Sequence, residues 1–345
     1  TRPTVAVTPV APAYISAAQP TSPAAPPPTP APMPVTKRFQ PFWGVLFVLV
    51  LMGSTTVGVW TTRNRWLPIT GLENGTGSAG TTDSPPNSPL SATEQSRQQA
   101  LSQRRRELGI DLAYLIRLTD ESFYARYPEL NHRSLTLGAE DAPWREKWDA
   151  IANEWLDVLE QTLSAAARKK LGRFGKGDRE AMRQAVLKLN VGAEALNDLT
   201  DGRFFQRFPE WEGQDFLEKP IGQVWQAIAA DQVDALQAGQ TLARLQFPAG
   251  GKSDRVSGEL EPGAGRVYLA ELEAGQELRL ELDAPANTLL SIYVPKPTPQ
   301  VPLLLADSTQ HRWRGRLPQS GFYEFVIVSR SDRPVRYHLR VATEE

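Results

Sequence analysis

Apolar positions recur along this chain in three rhythms, and each predicts a different element. Residues 42–60, FWGVLFVLVLMGSTTVGVW, run without a charge or a polar face. As a helix they would reach about 28 Å, close to the roughly 30 Å hydrocarbon core of a bilayer. Trp43 and Trp60 stand where aromatic rings prefer the water interfaces. The run predicts one transmembrane helix.

From residue 96 to 247 the rhythm becomes helical. Leu112, Leu115, Ile116, Thr119, Phe123 and Tyr127 are spaced by three and four, as are Trp148, Ile151, Ala152, Trp155 and Leu159. Ser164 is placed to cap a helix ending in Arg168, Lys169 and Lys170 before Gly172. Asp178 is placed to cap another, with Met182, Ala185, Val186 and Leu189 inward.

The helical region contains a repeat. LTDESFYARYPE at 118–129 matches LTDGRFFQRFPE at 199–210, with seven of twelve positions identical. Tyr124/Phe205 and Tyr127/Phe208 keep an aromatic, and Trp148-Asp-Ala-Ile-Ala152 is echoed by Trp225-Gln-Ala-Ile-Ala229. Identity at that density marks a duplicated unit. The two copies are expected to pack face to face in one all-helical domain.

From about Val256 the period falls to two. Leu278, Leu280 and Leu282 alternate with Glu277, Arg279 and Glu281; Tyr323, Phe325 and Ile327 alternate with Glu324, Val326 and Val328. Pro262-Gly263, Ala274-Gly275, Pro285 and Gln319-Ser320-Gly321 mark turns. Short strands at that spacing predict an antiparallel β-sandwich of jelly-roll type.

Composition fills the remaining segments. Residues 1–41 hold twelve of the 29 prolines among Ala, Thr and Ser, too little apolar surface to repay ordering. Residues 61–95 are rich in Gly, Ser, Thr and Pro and read as a second flexible linker. The expected architecture is therefore a disordered linker (1–41), a transmembrane helix (42–60), a linker (61–95), an all-α duplicated domain (96–247) and an all-β sandwich (250–345). A proline-rich linker that begins at Thr1 suggests a folded domain upstream.

Charge and chemistry exclude more than they nominate. With 38 basic and 39 acidic side chains, no nucleic-acid partner is indicated. The absence of cysteine removes disulfides, thiol catalysis and cysteine-ligated zinc. Asp120/Asp201, Arg126/Arg207 and Glu129/Glu210 repeat with the duplicated unit, as a ligand site or as ion pairs fixing helix ends. Gly172-Arg-Phe-Gly175-Lys176-Gly177 lacks the spacing and the Ser/Thr of a phosphate loop.

His132, His311 and His338 share no ligand spacing. Asp283, Asp307 and Asp332 are weighed as a calcium site, and Tyr268, Tyr293, Trp313 and Tyr323 as a glycan or peptide platform against ordinary packing. No serine elbow, kinase Gly-rich loop or catalytic loop is present. Catalytic, cofactor-binding and metal residues are all expected to be none. Ser54 and Gly58 form a small-xxx-small pair through which two spans could dimerise.

On these residues the chain from 108 to 345 resembles the non-catalytic C-terminal part of membrane-anchored cyanobacterial serine/threonine protein kinases. Leu108-Gly109-Ile110-Asp111, the two Leu-Thr-Asp copies, Pro220-Ile221-Gly222-Gln223-Val224-Trp225 and Trp313-x-Gly315-x-Leu317-Pro318-x-Ser320-Gly321-x-Tyr323 carry the resemblance. The last segment is also similar to the pre-peptidase C-terminal β-sandwich. The resemblance implies an upstream kinase domain and a periplasmic sensor region that binds an unknown ligand or envelope component. Lys37 and Arg38 balance Arg63 and Arg65, so charge alone does not orient the span. The rival reading is a membrane-tethered protein that binds envelope glycan or peptide and has no enzymatic activity.

Overall fold

The computed structural model describes residues 90–247 and 252–344. The proline-rich segment, the apolar run 42–60 with Ser54 and Gly58, and most of the second linker lie outside the described residues. Among the described residues no helix is long and apolar enough to cross a membrane.

Among the described residues seven helices come first: α1 (Ala92–Leu108), α2 (Leu112–Arg126), α3 (Ala142–Thr162), α4 (Ala165–Lys170), α5 (Lys176–Leu187), α6 (Ala193–Arg207) and α7 (Gly222–Gln237). The first helix starts inside the segment that composition assigns to the linker. Ser91 explains the early start, because its side chain accepts the Glu94 N–H as an N-cap. Ser164 caps α4 as expected, accepting from the Ala167 N–H at 3.1 Å. Asp178 is not the cap of α5: it stands one turn in and reaches back to the Gly175 N–H at 2.8 Å.

The duplication is a structural one. Helices α2 and α6 end alike, at Tyr127 (φ −128°, ψ 66°) and Phe208 (φ −131°, ψ 61°), and Pro128 and Pro209 each open a short 3₁₀ turn. Phe123 and Phe204 are fully buried at matching positions. One apolar core joins the copies, with Leu115, Phe123, Ile151 and Leu156 from the first and Phe204, Phe208, Val224 and Ile228 from the second. Trp155 stacks on Phe208 across them at 5.9 Å.

Nine strands follow: β1 (Leu242–Arg244), β2 (Ser253–Leu260), β3 (Gly265–Leu272), β4 (Glu277–Asp283), β5 (Thr288–Tyr293), β6 (Leu305–Ser308), β7 (Arg312–Arg316), β8 (Gly321–Ser329) and β9 (Val335–Glu344). They form two sheets, ordered β1-β3-β8-β5-β6 and β2-β9-β4-β7. Tyr268, Leu290, Phe325 and Ile327 of the first sheet meet Leu278, Leu280, Leu339 and Val341 of the second in the sandwich core. The turn signals fall between strands as the sequence predicts, with Gly263 and Gly275 at φ +68° and +89°.

The boundary between the two regions is where expectation and structure part. Strand β1 lies within the stretch assigned to the helical domain and pairs in parallel with β3, Leu242 opposite Val267. A third core then spans the boundary. Val191, Leu196 and Leu199 of α6 and its approach, with Val233 and Leu236 of α7, pack on Val267, Leu269, Tyr293, Val326 and Val328. Each fully buried Val or Leu stabilises by roughly 1.5–3 kcal/mol, so this face fixes the helices to the sheet. The second copy of the repeat thus turns one side to the first copy and the other to the sandwich.

Candidate functional site

The repeated acids hold the repeat together. Asp120 accepts the Trp148 indole N–H at 2.8 Å, and Asp201 accepts that of Trp225 at 2.7 Å. Each bond ties the first helix of a copy to the second. Burial pushes the Asp120 carboxyl up to about 6, and the Trp148 N–H partly opposes the shift. Arg126 pairs with Glu154 on α3 at 3.1 Å and not with Glu129, while Arg207, Glu129 and Glu210 are exposed.

The glycine-rich loop before α5 is occupied by its own side chains. The Asp178 carboxylate takes the Gly175 N–H, and Gln223 Oε1 accepts the Phe174 N–H at 3.0 Å. Lys170 meets Asp178 at 2.5 Å and holds its carboxyl below the usual range. An anion arriving here would meet a carboxylate where a phosphate loop offers free donors.

The histidines lie apart. His132 packs on Tyr124 at 4.7 Å, and a ring nitrogen of His311 is 2.9 Å from the Thr288 carbonyl oxygen. His338 Nδ1 is 2.7 Å from Ser257 Oγ. Register puts Asp283 directly across β4–β9 from His338, so Ser257, His338 and Asp283 form one row across three strands. No hydrogen bond joins Asp283 to His338, and all three side chains are exposed. The row has the residue types of a nucleophilic triad without its connected, sheltered geometry.

Asp283, Asp307 and Asp332 do not converge. Asp283 is on the four-stranded sheet, Asp307 on β6 of the other sheet, and Asp332 in the turn between β8 and β9. Among the described residues no group of three or more His, Cys, Asp or Glu is arranged to hold a metal ion. The four aromatics do not share a platform either. Tyr268 and Tyr323 are in the sandwich core, Trp313 packs against it from β7, and Tyr293 faces the helices.

On the exposed face of the four-stranded sheet, Ser253, Asp254, Arg255 and Arg340 line an open cleft. Arg255 and Arg340 are direct cross-strand neighbours. Most arginines around them are neutralised: Arg279 by Glu344 at 2.8 Å, Arg314 by Glu277, and Arg336 by Glu259 at 3.3 Å.

The most perturbed chemistry lies in the seam between α6 and the five-stranded sheet. Gly192 precedes α6 and has no side chain to cap it. Glu324, buried on β8, accepts the Gly192 N–H at 2.9 Å and serves as a cap supplied by the sheet. Burial pushes its carboxyl up to about 7, against the favourable Gly192 bond.

Two turns along, Asp198 accepts from the Tyr293 hydroxyl at 2.8 Å. Burial, then the nearby Asp307, push Asp198 up to about 8, opposed by hydrogen bonds from Tyr293 and Ser291. Ser291 Oγ also accepts the Asp307 N–H at 3.1 Å. Neither Asp198 nor Glu324 has an ion-pair partner among the described residues. The seam is closely fitted: a Cβ on Gly202 would lie 2.5 Å from Val328 Cγ1, and one on Gly265 would lie 2.5 Å from Leu199 Cδ2.

No family model matches the chain. It is similar to serine/threonine-protein kinase-like protein E of Synechocystis, with 28% identity over 236 residues, 67% of this chain. That stretch is 37% of the relative, so the match spans little more than a third of the relative's length. Among solved structures, Aeromonas hydrophila PliG, a periplasmic inhibitor of g-type lysozyme, is 23% identical with a TM-score of 0.27, covering 30% of this chain and 96% of that one. The pre-peptidase C-terminal domain of Bacillus anthracis collagenase is 10% identical with a TM-score of 0.24, covering 29% of this chain and 93% of that one. The chain is thus related in sequence to a kinase-like protein over about two thirds of its length, and its described residues form an all-α region followed by a two-sheet β region.

Proposed function

We propose that residues 90–344 form the extracytoplasmic sensor region of a membrane-anchored serine/threonine protein kinase, with the run 42–60 as its single span. The observation that carries this reading is the 236-residue match to a kinase-like protein. The uncharged run agrees with it, and so does a described region whose buried acids serve packing and capping. Phosphoryl transfer would belong to a kinase domain joined to this region. Ligand binding would act on the association of spans through Ser54 and Gly58.

Reporter fusions test the topology. Alkaline phosphatase fused after residue 344 should be active and green fluorescent protein there dark, with the reverse at residue 41. Deleting residues 42–60 should move the chain from the membrane fraction to the soluble one. Cytoplasmic signal at the C-terminal end, or membrane retention without the run, would overturn the reading.

A further inference from the structure

The α6 seam contains an arrangement that packing by itself does not require. Two carboxylates, Asp198 and Glu324, are placed against an apolar sheet face with hydrogen-bond donors and no ion-pair partner among the described residues. Around Asp198 stand Tyr293 on β5, Asp307 on β6 and Asp201 on its own helix. Across β5–β8 from Glu324 stands Tyr293, and on its β3 side the neighbour is the apolar Leu269. One strand beyond Leu269 in the same row stands Arg244 of β1, whose guanidinium lies over the Phe322 ring at 4.9 Å and forms no ion pair with Glu324 among the described residues. A carboxylate in such a setting is better accommodated as the neutral acid, which keeps its hydrogen bonds without the desolvation cost of a charge.

We propose that the joint between α6 and the five-stranded sheet is a proton sensor, closed when Asp198 and Glu324 are protonated and loosened when they ionise. Both groups bridge the same two bodies, Asp198 from α6 to Tyr293 on β5 and Glu324 from β8 to the Gly192 N–H at the start of α6. Ionising either one places a buried negative charge in a seam where Gly202 and Gly265 leave no slack. Opening the seam to water relieves that charge. The inference names a stimulus for the sensor region proposed above and rests on that reading only for its downstream effect; the joint itself is a property of the described residues.

The sign follows from linkage. Both carboxyls sit above their unfolded values of about 4, so the closed joint binds more protons than the open one between about pH 4 and the native values. Closure therefore strengthens as pH falls through about 8 for Asp198 and about 7 for Glu324. It weakens as pH rises through the same window. One linked proton changes the closing equilibrium by up to about tenfold per pH unit.

Hydrogen exchange on the purified full chain reads this directly, after correction for intrinsic rates. Between pH 5.5 and 8.0, amides of α6, β5 and β8 should lose about tenfold or more in protection, while those of α2 and α3 change little. In Asp198→Asn with Glu324→Gln the α6 amides should become pH-independent, because the amides keep the acceptors without the charge. Carboxyl-carbon shifts of the unsubstituted protein give a second measurement that needs no variant. Uniform pH dependence across all helices, an unchanged profile in the double variant, or both carboxyls titrating below about pH 5 would each overturn the proposal. Failure of the topology test would leave these results standing.

Discussion

Gly202→Ala tests whether the helix–sheet seam is as tight as described. In the middle of an ordinary helix, alanine is favoured over glycine by about 1 kcal/mol. Here the new Cβ would lie 2.5 Å from Val328 Cγ1 and 2.9 Å from the Gly263 carbonyl oxygen. Val328 is β-branched within a sheet and has little rotamer freedom. Gly263 presents backbone, fixed in a turn at φ +68°. Neither can step aside, so α6 must lift from the sheet, and overpacking of this kind costs about 1–3 kcal/mol or more.

Subtracting the helix gain leaves a net destabilisation of up to about 2 kcal/mol. Gly177→Ala is the matched control, since nothing lies within 4 Å of a Cβ there. It should stabilise by a few tenths of a kcal/mol up to about 1. Urea unfolding of the purified chain, read from the midpoint at constant slope, should move in opposite directions for the two variants. A midpoint for Gly202→Ala that rises with that of Gly177→Ala would refute the reasoning.

Two further outcomes follow from the same structure. Asp120→Ala and Asp201→Ala should each cost about 1–3 kcal/mol by leaving a Trp indole N–H without its partner, and the Asn variants should recover most of it; Ala variants with unchanged urea midpoints would remove the latch role. Asp141 is held well below the usual carboxylate range by Arg133 and by Thr136, so its stabilisation is present above about pH 4 and fades as pH falls further. Asp141→Asn should therefore flatten the stability loss of the 3₁₀ turn Ala139–Asp141 and of α3 between about pH 4 and pH 2, measured by acid titration of protection in those amides.

The helices and strands were largely legible because each buries a face at its own period. Leu115, Thr119 and Phe123 on α2, and Leu278, Leu280 and Leu282 on β4, are buried as their spacing predicts. The meeting of the two regions was not legible, for two physical reasons. Strand β1 is three residues long and pairs in parallel, leaving no alternation to read. Strand β8 alternates Tyr323, Phe325 and Ile327 with Glu324, Val326 and Val328, yet Glu324 through Ser329 are buried on both faces. The run Phe325-Val326-Ile327-Val328 has the continuous apolar character of a strand covered on two sides, which was the available signal.

Asp198 and Glu324 gave no such signal. A single carboxylate among apolar residues reads as a surface position until the covering element is known. The repeat did hold one clue to the seam: where the first copy has Glu121 the second has Gly202, a position where a Cβ would collide with the sheet.

That substitution has a consequence for how this protein can be divided or reused. The duplicated unit became two specialists: one copy keeps its side chains for solvent and for its twin, the other gave up bulk to seat a foreign sheet. A fragment beginning at residue 250 would lack β1 and bare Val267, Leu269, Tyr293, Val326 and Val328 to water, a continuous sticky patch. The sandwich here is no longer an interchangeable cassette. Its partner helices are inherited with it, and shuffling one without the other would yield an insoluble product.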